Sequence, residues 1–244
     1  RMEIMAEHTS AAKRIIFTGG RTAGHVTPNI ALIEPLLREG WEVHYIGSES
    51  GMEKGLIAGI AGVTYHGIST GKLRRYFSWQ NFIDPFRVLK GYAQARRLIR
   101  RIQPDVIFSK GGFVSVPVVL GAGKVPVVAH ESDYSPGLSN RIATRFTDQV
   151  CLSFEDTLMH IPHGKGVFTG TPIRPALYGG SRERALAFTG LSGEKPVLLV
   201  MGGSLGAQKL NELVRAALPL LSERFEVIHL CGRGKNDCGC VACG

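Results

Sequence analysis

A histidine in a glycine-rich turn is the first residue of this chain that could do chemistry. His25 follows Gly19 and Gly20, and this turn joins a β-branched, aromatic run to an apolar-periodic stretch that begins near Pro28. The order predicts a buried strand, a tight turn and a helix whose N-cap is Thr27. An imidazole titrates near neutral pH, so His25 is the candidate general base, although an exposed structural histidine fits this turn equally well.

Two more glycine pairs follow predicted strands. Gly111 and Gly112 come after one β-rich run, and Gly202 and Gly203 come after another. A glycine turn before a helix is a common anion site, because the first N–H groups of the helix are unpaired. The turns at Gly20 and Gly203 match neither the GxxxxGK[ST] phosphate loop nor the GxGxxG dinucleotide loop, which disfavours a dinucleotide oxidoreductase.

A further predicted strand, residues 125–129, leads directly into a run of polar side chains. They are His130, Glu131, Ser132 and Asp133. In open α/β sheets ligands bind at the carboxyl ends of the strands, where these side chains and the glycine turns would meet. Glu131 is therefore the second candidate for the base, and a buried structural pair with His130 is the alternative interpretation.

The composition restricts the class of protein. A chain of 244 residues with 31 glycines suits a loop-rich α/β protein rather than a disordered one. The net charge of +9 favours an acidic partner: phosphates, an anionic membrane surface or nucleic acid. Nucleic acid is disfavoured, because the sequence has no zinc-finger or RNA-binding signature. Residues 1–12 lack the apolar core of a secretory signal and no apolar run reaches the ~20 residues that span a bilayer, so we expect a cytoplasmic protein.

A basic and aromatic segment precedes a long helix predicted for residues 86–102. Its aromatic side chains could pack inward and leave the bases solvated. Alternatively the segment rests on an anionic bilayer, since Trp and Tyr favour the membrane interface while Lys and Arg attract anionic lipid. The candidate membrane contacts are Lys72, Leu73, Arg74, Arg75, Tyr76, Phe77, Trp79 and Phe82.

A proline-rich joint near residue 170 divides the chain. We predict a first domain over residues 13–170 and a second over residues 171–244. The second contains one clear helix, residues 207–220, between two strands, which is too little to bury an independent core. Its final residues include three cysteines without the spacing of a zinc site, so no metal is expected. The predicted fold class is α/β, a Rossmann-like parallel sheet followed by an incomplete second Rossmann-like domain.

Six motifs stand along the chain in a specific order and spacing. They are Gly19–Asn29, Gly111–Pro117, His130–Asp133, Pro136–Arg141, Gly170–Arg174 and Gly202–Ala207. On these motifs the chain resembles the MurG family from residue 14 to about residue 235. MurG enzymes are cytoplasmic, membrane-associated N-acetylglucosaminyltransferases of peptidoglycan synthesis.

The resemblance implies the GT-B fold, in which two Rossmann-like domains face a cleft. The first domain would take the lipid-linked acceptor, undecaprenyl-diphosphate-linked N-acetylmuramyl-pentapeptide, and the second would take UDP-N-acetylglucosamine. Transfer would invert the anomeric centre and form a β-1,4 link without a metal or other cofactor. The protein would work as a peripheral protein at the anionic cytoplasmic face of the cell membrane, with no nucleic-acid partner.

The resemblance also implies which residues form the site. His25 and Glu131 are the candidate catalytic residues. The residues matched to substrate-binding positions are Thr22, Ala23, Gly24, Asp133, Arg174, Gly203 and Ser204. Asp133 stands where many members of the family have Asn. Backbone N–H groups after Gly203, together with Arg174, suit a departing diphosphate.

Two departures from the family pattern affect these expectations. Arg21 stands where the family usually has glycine, and it would be strained if that position needs a positive φ. The family is also longer than this chain, which would hold only the start of the donor domain, so we expect weak or absent transfer by this polypeptide. The alternatives are a non-catalytic fragment that binds membrane or acceptor only, and another GT-B glycolipid glycosyltransferase.

Overall fold

Two compact units make up this protein. The computed structural model describes residues 12–20, 22–70, 80–203, 206–232 and 234–235. One unit ends at Pro175 and the other begins at Ala176. The boundary expected from the sequence lies near residue 170.

A seven-stranded sheet forms the centre of the first unit. Its strands are β1 (Arg14–Thr18), β2 (Glu42–Ser48), β3 (Val63–Ile68), β4 (Val106–Ser109), β5 (Val127–Glu131), β6 (Gln149–Leu152) and β7 (Gly166–Phe168). The spatial order is β3-β2-β1-β4-β5-β6-β7, and each neighbouring pair is parallel. Strand order reverses between β1 and β4, which opens a crevice at their carboxyl ends. The predicted parallel α/β fold is confirmed.

Helices cover both faces of this sheet. They are α1 (Thr27–Arg38), α2 (Met52–Ile57), α3 (Gln80–Ile102), α4 (Ser115–Gly121) and α5 (Leu138–Ala143), with 3-10 turns at Ala23–His25, Thr144–Phe146, Glu155–His160 and Pro175–Leu177. Side chains alternate along β1: Ile16 enters a core with α3 and α4, whereas Ile15 and Phe17 enter a second core with α1. Burial on both faces explains why this strand reads as a continuous apolar run.

The start of α1 differs from the sequence prediction. Val26 is the N-cap and the helix begins at Thr27. The Thr27 hydroxyl donates to the Ala23 carbonyl oxygen at 3.0 Å, so it stabilises the preceding turn and leaves the first N–H groups of the helix uncapped. Thr27 was therefore wrongly predicted as the cap. Pro28 does lie in the first turn, where its missing N–H costs no hydrogen bond.

The helix that follows the basic segment begins earlier than predicted. α3 starts at Gln80, whereas the apolar periodicity indicated a start near Phe86. Most of the expected membrane contacts, namely Lys72, Leu73, Arg74, Arg75, Tyr76, Phe77 and Trp79, lie outside the described residues, as does the side chain of Phe82. None of the helices in the described part of the chain is both long and apolar enough to cross a membrane.

The second unit contains a small parallel sheet. Its described elements are α6 (Arg182–Thr189), β8 (Val197–Met201), α7 (Gln208–Arg224) and β9 (Glu226–Leu230), and β8 pairs with β9. Helix α6 was not predicted from the sequence. Ser181 caps this helix by accepting the Arg184 N–H at 3.2 Å, and Gly190 ends it with a φ of 70°. The sequence of α6 lacks the apolar stripe that marked α7, and no residue of α6 is buried.

Candidate active site

The turns after β1 and β4 lie against each other at the carboxyl edge of the sheet. The Lys110 N–H donates to the Thr18 carbonyl oxygen at 2.9 Å. Gly112 has a φ of 85°, and a Cβ at that position would lie 2.6 Å from the carbonyl oxygen of Gly20. This backbone approach requires glycine for both its conformation and its lack of a side chain. The two glycine turns thus form one surface.

His25 lies on this surface, at the end of a 3-10 turn whose first hydrogen bond runs from its N–H to the Thr22 carbonyl oxygen at 3.0 Å. Its ring Nδ1 lies 3.2 Å from the Lys110 carbonyl oxygen. A carbonyl oxygen can only accept, so Nδ1 carries the proton and Nε2 carries the lone pair. The side chain is half-buried, and burial, reinforced by the Lys110 ammonium, holds the pKa of His25 below its ordinary value. The ring is therefore a neutral base at pH 7.

The loop before His25 is open to solvent. Thr22 is extended and exposed, Ala23 is half-buried and Gly24 is exposed. A Cβ on Gly24 would meet no atom nearer than the Thr22 Oγ1, at 3.9 Å. The φ of Gly24 is not positive. Neither backbone conformation nor local packing therefore demands glycine there. Arg21 lies outside the described residues.

Glu131 stands at the end of β5 and is 3 % exposed. Its carboxylate accepts the Asp133 N–H at 2.9 Å, the Gly137 N–H at 3.3 Å and the Asn140 Nδ2 at 2.8 Å. These three donors occupy both carboxylate oxygens and tie them to the loop that follows β5. This arrangement favours a structural role for Glu131 over the role of second candidate base.

Asp133 follows Glu131 on the same edge, and its side chain is exposed. Its main chain is fixed, because its N–H bonds to Glu131 and its carbonyl oxygen accepts the Thr157 hydroxyl at 3.4 Å. The negative charges of Glu131 and Asp133 both act to raise the pKa of His25, although by less than burial lowers it. The structure thus brings His25, Glu131 and Asp133 together.

Lys110 is a further member of this cluster and was not predicted from the sequence. Its side chain is fully buried, and its Nζ donates to the Ser132 Oγ at 2.9 Å. Burial lowers the pKa of Lys110, while the nearby Glu131 and Asp133 charges act to raise it. A lysine directly between a buried strand and a glycine pair was the available sequence signal, because the carboxyl end of a parallel strand is a ligand position.

His130 joins the end of β5 to the proline-rich joint. Its Nε2 lies 3.1 Å from the Gly170 carbonyl oxygen, so Nε2 carries the proton. Its Nδ1 is buried and has no hydrogen-bond partner among the described residues. Burial is also the main reason that the pKa of His130 lies below its ordinary value. These contacts favour a structural role for this histidine.

A cavity of about 490 Å³ opens on the same edge, beside the ends of β2 and β3. Glu53 is one of the residues that line this cavity, and it is 1% exposed. Its carboxylate accepts the Ser48 N–H at 2.9 Å. A Cβ on Gly20 would lie 2.6 Å from the Glu53 carboxyl carbon. The first glycine turn therefore packs directly on this buried carboxylate. This contact, and not turn geometry alone, explains why residue 20 is glycine.

The remaining predicted site residues lie elsewhere along the chain. Arg174 is exposed in the segment after the joint. Gly203, in the second unit, has a φ of 79° and open space around a Cβ, so its backbone conformation alone favours glycine. Ser204 lies outside the described residues. Binding roles for Arg174, Gly203 and Ser204 stay predictions.

Comparisons with known proteins identify both units. Residues 15–152 match the glycosyltransferase family 28 N-terminal domain, and residues 197–238 match the family's C-terminal domain. The "UDP-N-acetylglucosamine--N-acetylmuramyl-(pentapeptide) pyrophosphoryl-undecaprenol N-acetylglucosamine transferase" of Lachnoclostridium phytofermentans is 56% identical over 227 residues, which are 92% of this chain and 64% of that protein. The enzyme of the same name from Geobacillus thermodenitrificans is 52% identical over 231 residues, 94% of this chain and 65% of that protein. This chain therefore spans slightly less than two thirds of these relatives.

Solved structures support the same fold. MurG from Acinetobacter baumannii superposes with a TM-score of 0.65 at 24% identity, covering 91% of this chain and 59% of that one. The glycotransferase of kitacinnamycin superposes with a TM-score of 0.63 at 15% identity, covering 93% of this chain and 68% of that one. The predicted GT-B-type fold and the resemblance to MurG are confirmed, and the chain belongs to glycosyltransferase family 28.

Proposed function

We propose that this chain acts in an inverting glycosyl transfer, moving N-acetylglucosamine from UDP-N-acetylglucosamine to undecaprenyl-diphosphate-linked N-acetylmuramyl-pentapeptide. The names of the curated relatives describe this donor, this acceptor and this transferred group. The observation that carries the proposal is His25, whose Nδ1–H is held by a main-chain carbonyl oxygen and whose Nε2 is left as the basic nitrogen.

The chemical step assigned to His25 is removal of a proton from the attacking acceptor hydroxyl. As the acceptor oxygen forms its bond to the anomeric carbon, the bond from that carbon to the diphosphate oxygen breaks, and UDP leaves with the electron pair. The hydroxyl proton passes to Nε2, giving an imidazolium that Glu131 and Asp133 stabilise through their charges. A base that is neutral at pH 7 needs no prior deprotonation, because burial keeps the resting imidazole neutral.

The exposed loop before His25 is the proposed acceptor contact. Gly24 has no local structural requirement to be glycine, so we assign its missing side chain to close approach of the acceptor. Thr22 and Ala23 flank that approach, and Asp133 faces it from the end of β5, where a carboxylate can accept hydrogen bonds from sugar hydroxyls or the peptide.

The donor contacts are assigned to the glycine turn at Gly203, which is the third along the chain, and to the proline-rich joint. Gly203 and Ser204 precede α7, whose N-terminus has unpaired N–H groups suited to a diphosphate. Arg174 would supply the positive charge that stabilises the departing UDP. No metal or other cofactor is assigned to this transfer.

The proposed location is the anionic cytoplasmic face of the cell membrane, where the chain would be a peripheral protein. The lipid carrier in the relatives' names requires access to a bilayer. Beyond the basic segment, α3 exposes 74% of Phe86 and 64% of Leu89, and the neighbouring Lys90 is also exposed. Exposed apolar side chains with adjacent bases suit a surface of anionic lipid.

A second candidate function is binding of acceptor and membrane without transfer. The observation that favours it is that His25, Asp133 and the exposed apolar side chains of Phe86 and Leu89 all belong to the first unit. Both functions need the acceptor-side residues of the first unit, whereas only transfer needs a complete donor contact.

One experiment separates the two functions. In one assay the chain is incubated with radiolabelled UDP-N-acetylglucosamine and detergent-solubilised lipid acceptor, and the label in the lipid fraction is counted. In a parallel assay its co-sedimentation with phosphatidylglycerol vesicles is measured. We expect slow transfer of label together with sedimentation. Sedimentation without any labelled lipid would establish the binding-only function and contradict the transferase.

A further inference from the structure

A buried positive charge lies at the centre of the candidate site. The Lys110 side chain is 0% exposed, and in the described part of the chain its ammonium has one hydrogen-bond partner, the Ser132 Oγ at 2.9 Å. None of the described carboxylates lies within ion-pair distance of it. A buried ammonium without a close counter-ion is costly, and such costs are common where a charge serves function.

The same residue contacts both sides of the crevice. Its carbonyl oxygen accepts the His25 Nδ1–H at 3.2 Å, and its N–H donates to the Thr18 carbonyl oxygen at 2.9 Å at the end of β1. Its ammonium reaches in the other direction to Ser132, the residue before Asp133. Lys110 therefore connects the ends of β1, β4 and β5.

We propose that Lys110 is a positioning residue for the transfer reaction, which fixes the His25 ring through its carbonyl oxygen and acts on it through a buried positive charge. The inference rests on the proposed function, because the reaction would use His25 as the base. Lys110 itself is too buried to touch a substrate, so it acts through His25 and through the loop that carries Asp133.

The charges that face His25 act in opposite directions. The Lys110 ammonium disfavours the imidazolium, whereas the carboxylates of Glu131 and Asp133 favour it. Removing the ammonium leaves only the two carboxylates, so the His25 pKa should rise. Two unit charges several ångströms apart in a partly buried site interact strongly enough to change a pKa by on the order of one unit or more.

Two substitutions separate the charge from the hydrogen bond. Lys110→Met removes both, and Lys110→Gln removes the charge but retains a donor for Ser132. Burying an ammonium without a counter-ion is itself unfavourable, so we expect both variants, which remove that charge, to fold. Ser132→Ala is the matched control, since it removes the hydrogen bond and keeps the ammonium.

The test is an NMR titration of His25 in the whole chain with labelled histidine, the signal being assigned from its loss in His25→Gln. We expect the His25 pKa to rise by about one unit in both Lys110 variants, and the acid limb of the transfer rate to move to higher pH by the same amount. In Ser132→Ala the titration should stay near that of the unaltered chain.

The two proposals fail in different ways. An unchanged His25 titration in Lys110→Met and Lys110→Gln would overturn the role of Lys110, whether or not the chain transfers sugar. A raised His25 pKa in a chain that makes no labelled lipid would leave the coupling of Lys110 to His25 intact and remove the proposed function.

Discussion

At the scale of single residues, the hydrogen bonds that His25 and Glu131 already make distinguish the base from the structural residue. His25 and Glu131 are both proton acceptors of the expected type, and both lie at the carboxyl edge of the sheet. In the His25 ring, Nδ1–H donates to a carbonyl oxygen, and Nε2 is left as the basic nitrogen. The Glu131 carboxylate is instead engaged by three donors that hold the loop around it. The two residues therefore differ in role although the sequence presents them alike.

The first prediction concerns this role of Glu131. In Glu131→Gln, an amide –NH2 would face N–H donors that now meet a carboxylate oxygen, so we expect a loss of roughly 1–3 kcal/mol in the free energy of unfolding. Urea denaturation followed by circular dichroism measures this change. The matched control is Asp133→Asn, an exposed neighbour, for which we expect a change within about 0.5 kcal/mol. A Glu131→Gln protein of unchanged stability would argue against the structural role.

At the scale of elements, the glycine turns are what bring the site residues together. These turns were predictable because strands, glycine pairs and helices follow each other in a recognisable order. The packing of Gly112 on the main chain of Gly20, and of Gly20 on Glu53, was not predictable, because those contacts join segments far apart in sequence. The role of Lys110 was not predictable for the same reason, since its partners lie at the end of β1, just after β5 and in the His25 turn.

The second prediction tests the close packing of the two turns. Gly112→Ala should cost roughly 2–4 kcal/mol of unfolding free energy, because a positive φ and a backbone clash act together. Gly123→Ala is the matched control: its φ of 68° is also positive, but a Cβ there would meet no atom within 4 Å. The control should cost only about 1 kcal/mol, and equal losses would show that the turns do not need to touch.

The third prediction concerns a histidine pair on neighbouring strands, away from the site. The His44 Nδ1 on β2 lies 3.1 Å from the His66 Nε2 on β3. Burial, followed by the charges of His44 and Arg101, holds the pKa of His66 below its ordinary value of 6.5. The unfolded chain then binds protons more readily than the folded one, so stability should fall as pH drops below about 6.5.

Urea denaturation at pH 8 and pH 5 checks this expectation. His25 and His130 contribute in the same direction, because their pKa values are also lowered. We expect His66→Gln to reduce the loss of stability between the two pH values, whereas the exposed His163→Gln should leave it unchanged. An undiminished loss in His66→Gln would remove this pair as a source of the pH dependence.

At the scale of the whole molecule, the parallel sheet was predictable, since apolar runs and glycine turns alternate with helical stretches. The spatial order of its strands was not predicted and comes from the structure. The ends of the elements were less predictable. Helix α3 starts before its apolar stripe, and the Thr27 hydroxyl donates to the Ala23 carbonyl oxygen of the preceding turn and does not cap the helix. Helix α6 was not predictable from periodicity, because it buries nothing. The positive charge of the chain indicated an acidic partner without identifying which surface would bind it.

The fourth prediction assigns membrane binding to the start of α3. Phe86→Ser together with Leu89→Ser should lower co-sedimentation with phosphatidylglycerol vesicles several-fold, because each side chain would otherwise insert apolar surface into the lipid interface. Phe188→Ser is the matched control, since Phe188 is 92% exposed but lies on α6. Binding should also weaken as salt is raised. Equal losses in the control would show that any exposed apolar side chain contributes.

The pH dependence of sugar transfer tests the central role of His25 most directly. The rate of label entering the lipid acceptor should rise with pH through a midpoint below the ordinary histidine pKa of 6.5 and then level off, since burial lowers the pKa of this ring. In His25→Gln the rate should fall by about 10²–10⁴-fold and lose that acid limb. A His25→Gln protein that transfers at an unreduced rate with the same pH profile, or an unaltered chain that yields no labelled lipid, would contradict the account.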